Sequence, residues 1–170
     1  LLASKISTDT AFVNTVISNY KIDRLKAIIL SHSHYDHSLD AVYVTSKTSA
    51  ILYGSLSTIN IGKGGGLNTK QISLFEPEKE LHFGEFTVMP ILSKHSPAGF
   101  YNNDVGKVIS APLVQPAKVS EYVEGGTYDF LIKHKSHTIY IKPSANFIEG
   151  KLKNIKADVL FLGIGLLGEQ

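Results

Sequence analysis

Residues 31–37 read Ser-His-Ser-His-Tyr-Asp-His, which places three imidazoles and one carboxylate in seven positions with no lysine or arginine among them. Imidazole nitrogen and carboxylate oxygen, crowded together without a cationic partner, suit a divalent cation. This donor set favours zinc and leaves manganese, iron or nickel open. The spacing of His32, His34 and His37, with Asp36 inside their frame, argues against a merely solvated histidine-rich loop. The element that must position them lies directly upstream. Leu25-Lys26-Ala27-Ile28-Ile29-Leu30 is short, rich in branched aliphatics and reads as a buried strand. The cluster therefore sits where a strand runs out into a loop, the common place for a site in an open α/β sheet.

The surrounding pattern supplies the scaffold. Thr8-Asp9-Thr10 followed by Ala11, Phe12, Val13, Val16 and Ile17 predicts a capped amphipathic helix ending near Asn19-Tyr20. After the histidine loop, Leu39, Val42, Tyr43 and Val44 predict a helix from Ser38 onward, with Ser38 and Asp40 as N-terminal capping residues. Asp40 is also a candidate partner for a liganding imidazole. Ala50-Ile51-Leu52-Tyr53 predicts a second buried strand, and this βαβ rhythm predicts parallel pairing. Gly62-Lys63-Gly64-Gly65-Gly66 lacks the ending of a phosphate-binding loop and reads as a flexible loop. Strands are then expected over 72–75, 80–83 and 86–92, the last two joined by a tight turn at Gly84-Glu85. Residues 96–126, rich in Gly, Pro and Asn, predict a long surface excursion that walls or lids the site. A hairpin over 127–133 and 138–142, a short helix near 147–154 and a buried strand over 158–162 complete the reading. No internal repeat or domain boundary is visible, so residues 1–170 are read as one domain.

Composition narrows the function classes. A chain of 170 residues can bury about 70% of its unfolded surface in one core. With 43% hydrophobic and 19% charged residues, it falls in the ordinary globular range. The net charge is only +2 and the lysines are scattered, with Lys133, Lys135 and Lys142 near one hairpin and Lys151, Lys153 and Lys156 near the expected short helix. Solvated faces explain them better than a nucleic-acid footprint. No apolar run approaches the roughly 18 residues of a membrane span. The absence of cysteine excludes disulfides, thiolate nucleophiles and cysteine-containing zinc sites. The chain opens at Leu1-Leu2 rather than Met, so a segment upstream is expected. Localisation stays open, with the cytoplasm as default.

The strand, the complete His-x-His-x-Asp-His motif at His32, His34, Asp36 and His37, and the following helix resemble the metallo-β-lactamase fold superfamily. Leu81-His82-Phe83-Gly84-Glu85-Phe86-Thr87-Val88, followed by Ser93-Lys94-His95-Ser96-Pro97, is similar to that family's segment of strand, turn, strand and histidine. Residues 128–141 and Ala157 to Gly163 resemble its later hairpin and strand. The resemblance implies an α/β fold, an αββα sandwich that here would be incomplete at both ends. It also implies that His32, His34 and His95 hold one metal ion, while Asp36 and His37 face a second. The aspartate that bridges the two ions in the family falls near Ser144, so the second ion should bind more weakly; Asn146 is a substitute contact to consider. The Ser-His-x-His-Tyr-Asp-His spelling resembles the branch of sugar-phosphate lactonases and phospholipase-D-like phosphodiesterases. Pro143-Ser144-Ala145-Asn146-Phe147 resembles a subgroup of predicted metal-dependent hydrolases.

The expected chemistry follows from the donor set. Zinc on neutral nitrogen ligands keeps its charge and lowers the pKa of bound water to about 7, producing hydroxide near neutrality. Asp36 beside that water would orient it and shuttle a proton, as the catalytic acid–base residue. We expect a metal-dependent hydrolase of a small-molecule ester, lactone or phosphodiester. A nuclease and a noncatalytic metal-binding scaffold are the alternatives, and a homo-oligomer is open. Bland readings suit the other histidines: His82 exposed on its strand, His134 and His137 solvated beside a hairpin turn. Tyr35 is expected to pack under the loop, with its hydroxyl able to reach substrate.

Overall fold

Asp9 starts the first helix, its carboxylate accepting a hydrogen bond from the Phe12 backbone N–H at 2.9 Å. The computed structural model describes residues 3–22, 24–96 and 103–165. A short strand β1 (Lys5–Ile6) precedes this helix, α1 (Thr10–Asn19), and strand β2 (Ala27–Ile29) follows it. Where one helix was expected from Ser38, two short ones occur: α2 (Tyr35–Ser38) carries Asp36 and His37, and α3 (Ala41–Lys47) follows after a break at Leu39-Asp40. Neither Ser38 nor Asp40 caps as expected. The Ser38 hydroxyl donates back to the carbonyls of Ser33 and His34, both at 3.0 Å, and Asp40 makes no side-chain capping bond.

Strand β3 (Ile51–Gly54) leads into α4 (Leu56–Gly64), which Ser55 caps through Thr58 N–H, and then into β4 (Ile72–Leu74). The glycine run was expected to be a loop, yet Gly62 and Gly64 lie inside α4. Each glycine in a helix interior costs about 1 kcal/mol against alanine, but close packing requires them here. A Cβ on Gly64 would meet the Leu113 carbonyl oxygen at 1.9 Å, and one on Gly62 would meet Ile72 at 2.7 Å. Strands β2, β3 and β4 pair in parallel, as the βαβ rhythm predicted.

The second sheet holds β5 (Leu81–Phe83), β6 (Phe86–Leu92), β8 (Tyr128–His134), β9 (His137–Lys142) and β10 (Val159–Leu162), in the order β10-β9-β8-β6-β5. All pairs are antiparallel except β9 with β10. Between β6 and β8, a short β7 (Ala117–Lys118) returns to pair with β1. The excursion that carries it is less superficial than expected, because Ile109, Ala117, Val119 and Tyr122 are buried. Its backbone is satisfied from α4: Asn60 Nδ2 donates to the Ile109 carbonyl at 2.7 Å, and Ile109 N–H donates to Ser57 Oγ at 2.9 Å.

Three apolar clusters define the layers. Leu30, Val42, Leu52 and Ile61 pack the helices onto the parallel sheet, and Phe75, Val88 and Phe130 fill the space between the two sheets. On the far face of the larger sheet, Ile91, Leu131 and Tyr140 are covered by Leu152 and Ile155. Leu152 lies in a run of turns over 149–154 and Ile155 just after it, in place of the expected helix, and Gly150, at φ +80°, departs from helical backbone there. No described helix is long and apolar enough to cross a membrane. Leu1-Leu2 and Pro97 lie outside the described residues.

Candidate metal centre

His32 and His34 follow β2, and His95 follows β6, so the centre forms where the two sheets end on the same side. One nitrogen from each of these three buried residues lies within 4.8 Å of the others. The His32–His34, His32–His95 and His34–His95 ring centroids are 4.9, 4.8 and 4.7 Å apart, with the rings near perpendicular. Each ring is held by its outer nitrogen. Ser31 Oγ lies 3.0 Å from His32 Nδ1, His95 Nδ1 donates to the Ser96 carbonyl at 3.0 Å, and His34 Nε2 donates to Asp104 Oδ2 at 2.9 Å. A carbonyl and an ionised carboxylate only accept, so His95 Nε2 and His34 Nδ1 carry free lone pairs. The donor set thus consists of imidazoles whose unused nitrogens can converge on a cation.

Burial, with the neighbouring His37, His34 and His95 adding to it, pushes the His32 pKa down to about 2. His32 is therefore an unprotonated donor at any ordinary pH. His37 lies beside it with ring centroids 4.0 Å apart and the rings tilted by 49°, and Ser31 Oγ lies 3.5 Å from its Nδ1. Burial lowers the His37 pKa as well, against an opposing pull from Asp36. Asp36 Oδ2 stands 3.5 Å from His37 Nε2 and its side chain is largely exposed. The structure thus separates the four histidines and the one carboxylate into two groups. His32, His34 and His95 form the buried triad, and Asp36 with His37 forms a pair at the mouth.

All of these line a cavity of about 510 Å³, together with Tyr35, Ser96, Asp104 and Ser144. Tyr35 is exposed on this wall instead of packing beneath the loop. Ser144 stands in the cavity wall, where its Oγ accepts from Ser96 N–H at 2.7 Å and lies 3.1 Å from Ser96 Oγ. Asn146 does not serve as a substitute contact: its Oδ1 accepts from Phe147 N–H at 2.8 Å, and it is absent from the cavity lining. Lys142, expected on a solvated face, is buried under this loop. Its Nζ lies 3.3 Å from Asp129 Oδ2 and also donates to the Asn146 carbonyl. Tyr140 donates to the same Asp129 oxygen at 2.8 Å, and burial beside that carboxylate raises the Tyr140 pKa.

Away from the centre, His82 is exposed as expected. His134 is not simply solvated, since it stacks on Phe86 with centroids 4.3 Å apart. Sequence reasoning missed Asp104 and Glu124. Both lie in the excursion before β8, where no local motif marks them.

The chain's residues 12–148 match the Metallo-beta-lactamase superfamily. The chain belongs to that family. Over 85 residues it is 33% identical to a UPF0173 metal-dependent hydrolase of Thermoplasma volcanium, a stretch that is 48% of this chain and 37% of that protein. Zn(2+)-bound PqqB from Methylobacterium extorquens superposes on 94% of this chain and 54% of its own, at TM-score 0.61 and 12% identity. A HARLDQ-motif mutant of a metallo-beta-lactamase from Cronobacter sakazakii superposes on 91% of this chain and 66% of its own, at TM-score 0.55 and 13% identity. These two likenesses show the fold. The chain spans little more than half of the first of these structures, and its matched stretch is just over a third of the curated relative.

Proposed function

We propose that the protein is a metal-dependent hydrolase that binds one zinc ion tightly through His32, His34 and His95 and acts on a small-molecule ester, lactone or phosphodiester. The observation that carries this reading is the buried triad of imidazoles, each held by its outer nitrogen. Zinc is the ion that a neutral-nitrogen set favours, and the PqqB structure that shares this fold is zinc-bound. A bound ion would supply Lewis acidity, activating a water molecule and polarising the carbonyl or phosphoryl group under attack.

The chain's own groups then divide the remaining work. Asp36 stands exposed at the cavity mouth, where it can orient water, take its proton and deliver that proton to the leaving group. The Asp36 and His37 pair offers a second ion only two ligands. Ser144, a hydroxyl already engaged with Ser96, is a poor bridge between ions, so the second ion binds weakly. Tyr35 and Lys107 line the cavity and are placed to contact the substrate. The half-open cavity of about 510 Å³ suits a small molecule. The metal-dependent hydrolase relative supports hydrolysis, and the lactonase and phospholipase-D-like resemblance favours a cyclic ester or phosphodiester.

A panel of chromogenic esters, lactones and phosphodiesters, assayed with zinc, after chelation and after zinc is restored, tests this reading. Hydrolysis of at least one class is expected, lost with the chelator, regained with zinc and absent in His34→Ala. Tight zinc binding with no turnover on any class would instead make the chain a noncatalytic metal-binding scaffold. Turnover confined to nucleic acid would make it a nuclease.

A further inference from the structure

We propose that Asp104 is the positioning carboxylate of the metal centre: it fixes the His34 ring so that Nδ1 faces the ion, and it supplies negative charge that the three ligands lack. The inference rests on the metal-centre reading above and assigns a role to a residue outside the histidine motif.

The geometry gives Asp104 this place. Its Oδ2 accepts from His34 Nε2 at 2.9 Å, and both side chains are largely buried. A carboxylate in that position has two effects. It sets the tautomer, because Nε2 must carry the proton, and it increases the electron density of the imidazole at Nδ1. Asp104 is not itself part of the ligand cluster, whose nitrogens lie within 4.8 Å of one another and belong to His32, His34 and His95. It acts from behind His34.

Asp104 is held in place before any metal arrives. Glu124 N–H donates to the same Oδ2 at 3.1 Å. Lys107 N–H donates to the Asp104 carbonyl at 2.9 Å, closing a turn around the residue. The buried Glu124 side chain clamps that turn by accepting from Gly106 N–H at 2.7 Å and from Thr127 Oγ1 at 2.6 Å. The Glu124 carbonyl also receives Ser33 N–H at 2.9 Å, tying the same strand of chain to the residue between the two ligands. A carboxylate fixed this firmly lowers the ordering cost of holding His34 in one orientation.

Charge supplies an independent argument. Among the described residues, Asp104 Oδ1 is buried without a hydrogen-bond partner. A buried anionic oxygen left unpaired is costly unless positive charge stands nearby. Three neutral imidazoles around a divalent ion leave the complementary excess of positive charge, and Asp104 is the half-buried carboxylate in contact with that set.

The test compares the zinc affinity of the full chain with that of Asp104→Asn and Asp104→Ala by competition with a chromophoric chelator. It is run beside the visible spectrum of the cobalt-substituted protein and the melting temperature of the metal-free protein. Outer partners of metal-bound histidines typically contribute 10–100-fold in affinity. Asp104→Ala should approach the upper end, about 100-fold. Asp104→Asn keeps an acceptor for both N–H groups but loses the charge, so about tenfold is expected. The cobalt spectrum should shift in both variants, while the metal-free melting temperature of Asp104→Asn stays at the parent value. If Asp104→Ala does not fold, Asp104→Asn decides alone. Zinc binding by the variants within about twofold of the parent, or an affinity loss that only tracks metal-free melting, overturns the role of Asp104. A parent protein that retains no zinc overturns the metal-centre reading itself, and this inference with it.

Discussion

Acidifying the metal-free protein should destabilise it through His32, and the structure sets the size of the effect. His32 is 3% exposed, and its pKa is pushed from 6.5 to about 2, chiefly by burial. The unfolded chain exposes this imidazole to water, where it takes up a proton below pH 6.5. The unfolded state therefore binds more protons than the folded state between pH 6.5 and about 2, and stability falls as pH falls through that window. Above pH 6.5 both states are neutral at this residue and it contributes no slope. At pH 5.0 the difference is 1.5 pH units below 6.5, each worth about 1.4 kcal/mol, or about 2 kcal/mol in all. For a domain of this size that corresponds to a fall in melting temperature of about 4–8 °C. The assay is calorimetry or circular dichroism of chelator-treated protein at pH 7.5 and 5.0 and constant ionic strength, beside His32→Leu. The leucine variant keeps an apolar side chain in the pocket and removes the titrating group, so its acid-induced loss should be smaller by about 2 kcal/mol. Ionisable groups remote from the cavity are common to both proteins and cancel in the comparison. Equal losses in the two proteins would refute the claim that burial holds His32 neutral.

Elemental analysis after dialysis should find about one zinc equivalent per chain, and His95→Ala should abolish it; two retained equivalents would contradict the weak second site. Asp36→Asn should keep that ion while slowing turnover by about 100-fold, the scale of a lost acid–base group, and a variant with parental kcat would exclude the assigned role. Asp129→Ala leaves Lys142 buried without its carboxylate partner and removes the acceptor for Tyr140. It should cost about 3–5 kcal/mol in denaturant unfolding, and a loss below about 1 kcal/mol would mean that the pair is solvated in solution. Strand β10, at the edge of the larger sheet among the described residues, exposes Val159, Leu160, Phe161 and Leu162. Sedimentation velocity should show self-association that Leu160→Lys with Phe161→Lys relieves.

Much of the scaffold is local and can be read from neighbouring residues. Asp9 followed by spaced apolar residues specifies α1, and the aliphatic run before Ser31 specifies β2. The turn at Gly84-Glu85 closes the β5–β6 hairpin. Short range is also why His32, His34, Asp36 and His37 were legible: their spacing is written into one strand exit. His95 could be named through the resemblance of its whole segment, since no local spacing ties it to the other two ligands. The rest arises from packing between distant segments. The glycine run became the end of α4 because Leu113 and Ile72 leave no room for a side chain there, a packing effect that outweighs intrinsic helix propensity. Lys142 lies under the Ser144 loop because a buried Asp129 waits across the hairpin. Asp104 reaches His34 through a chain segment without periodicity, held by Glu124. Periodicity and motif spacing describe what neighbouring residues do together. The contacts that orient His34 join residues far apart in the chain, and they exist only once the sheets have stacked and the excursion has been pinned across their ends.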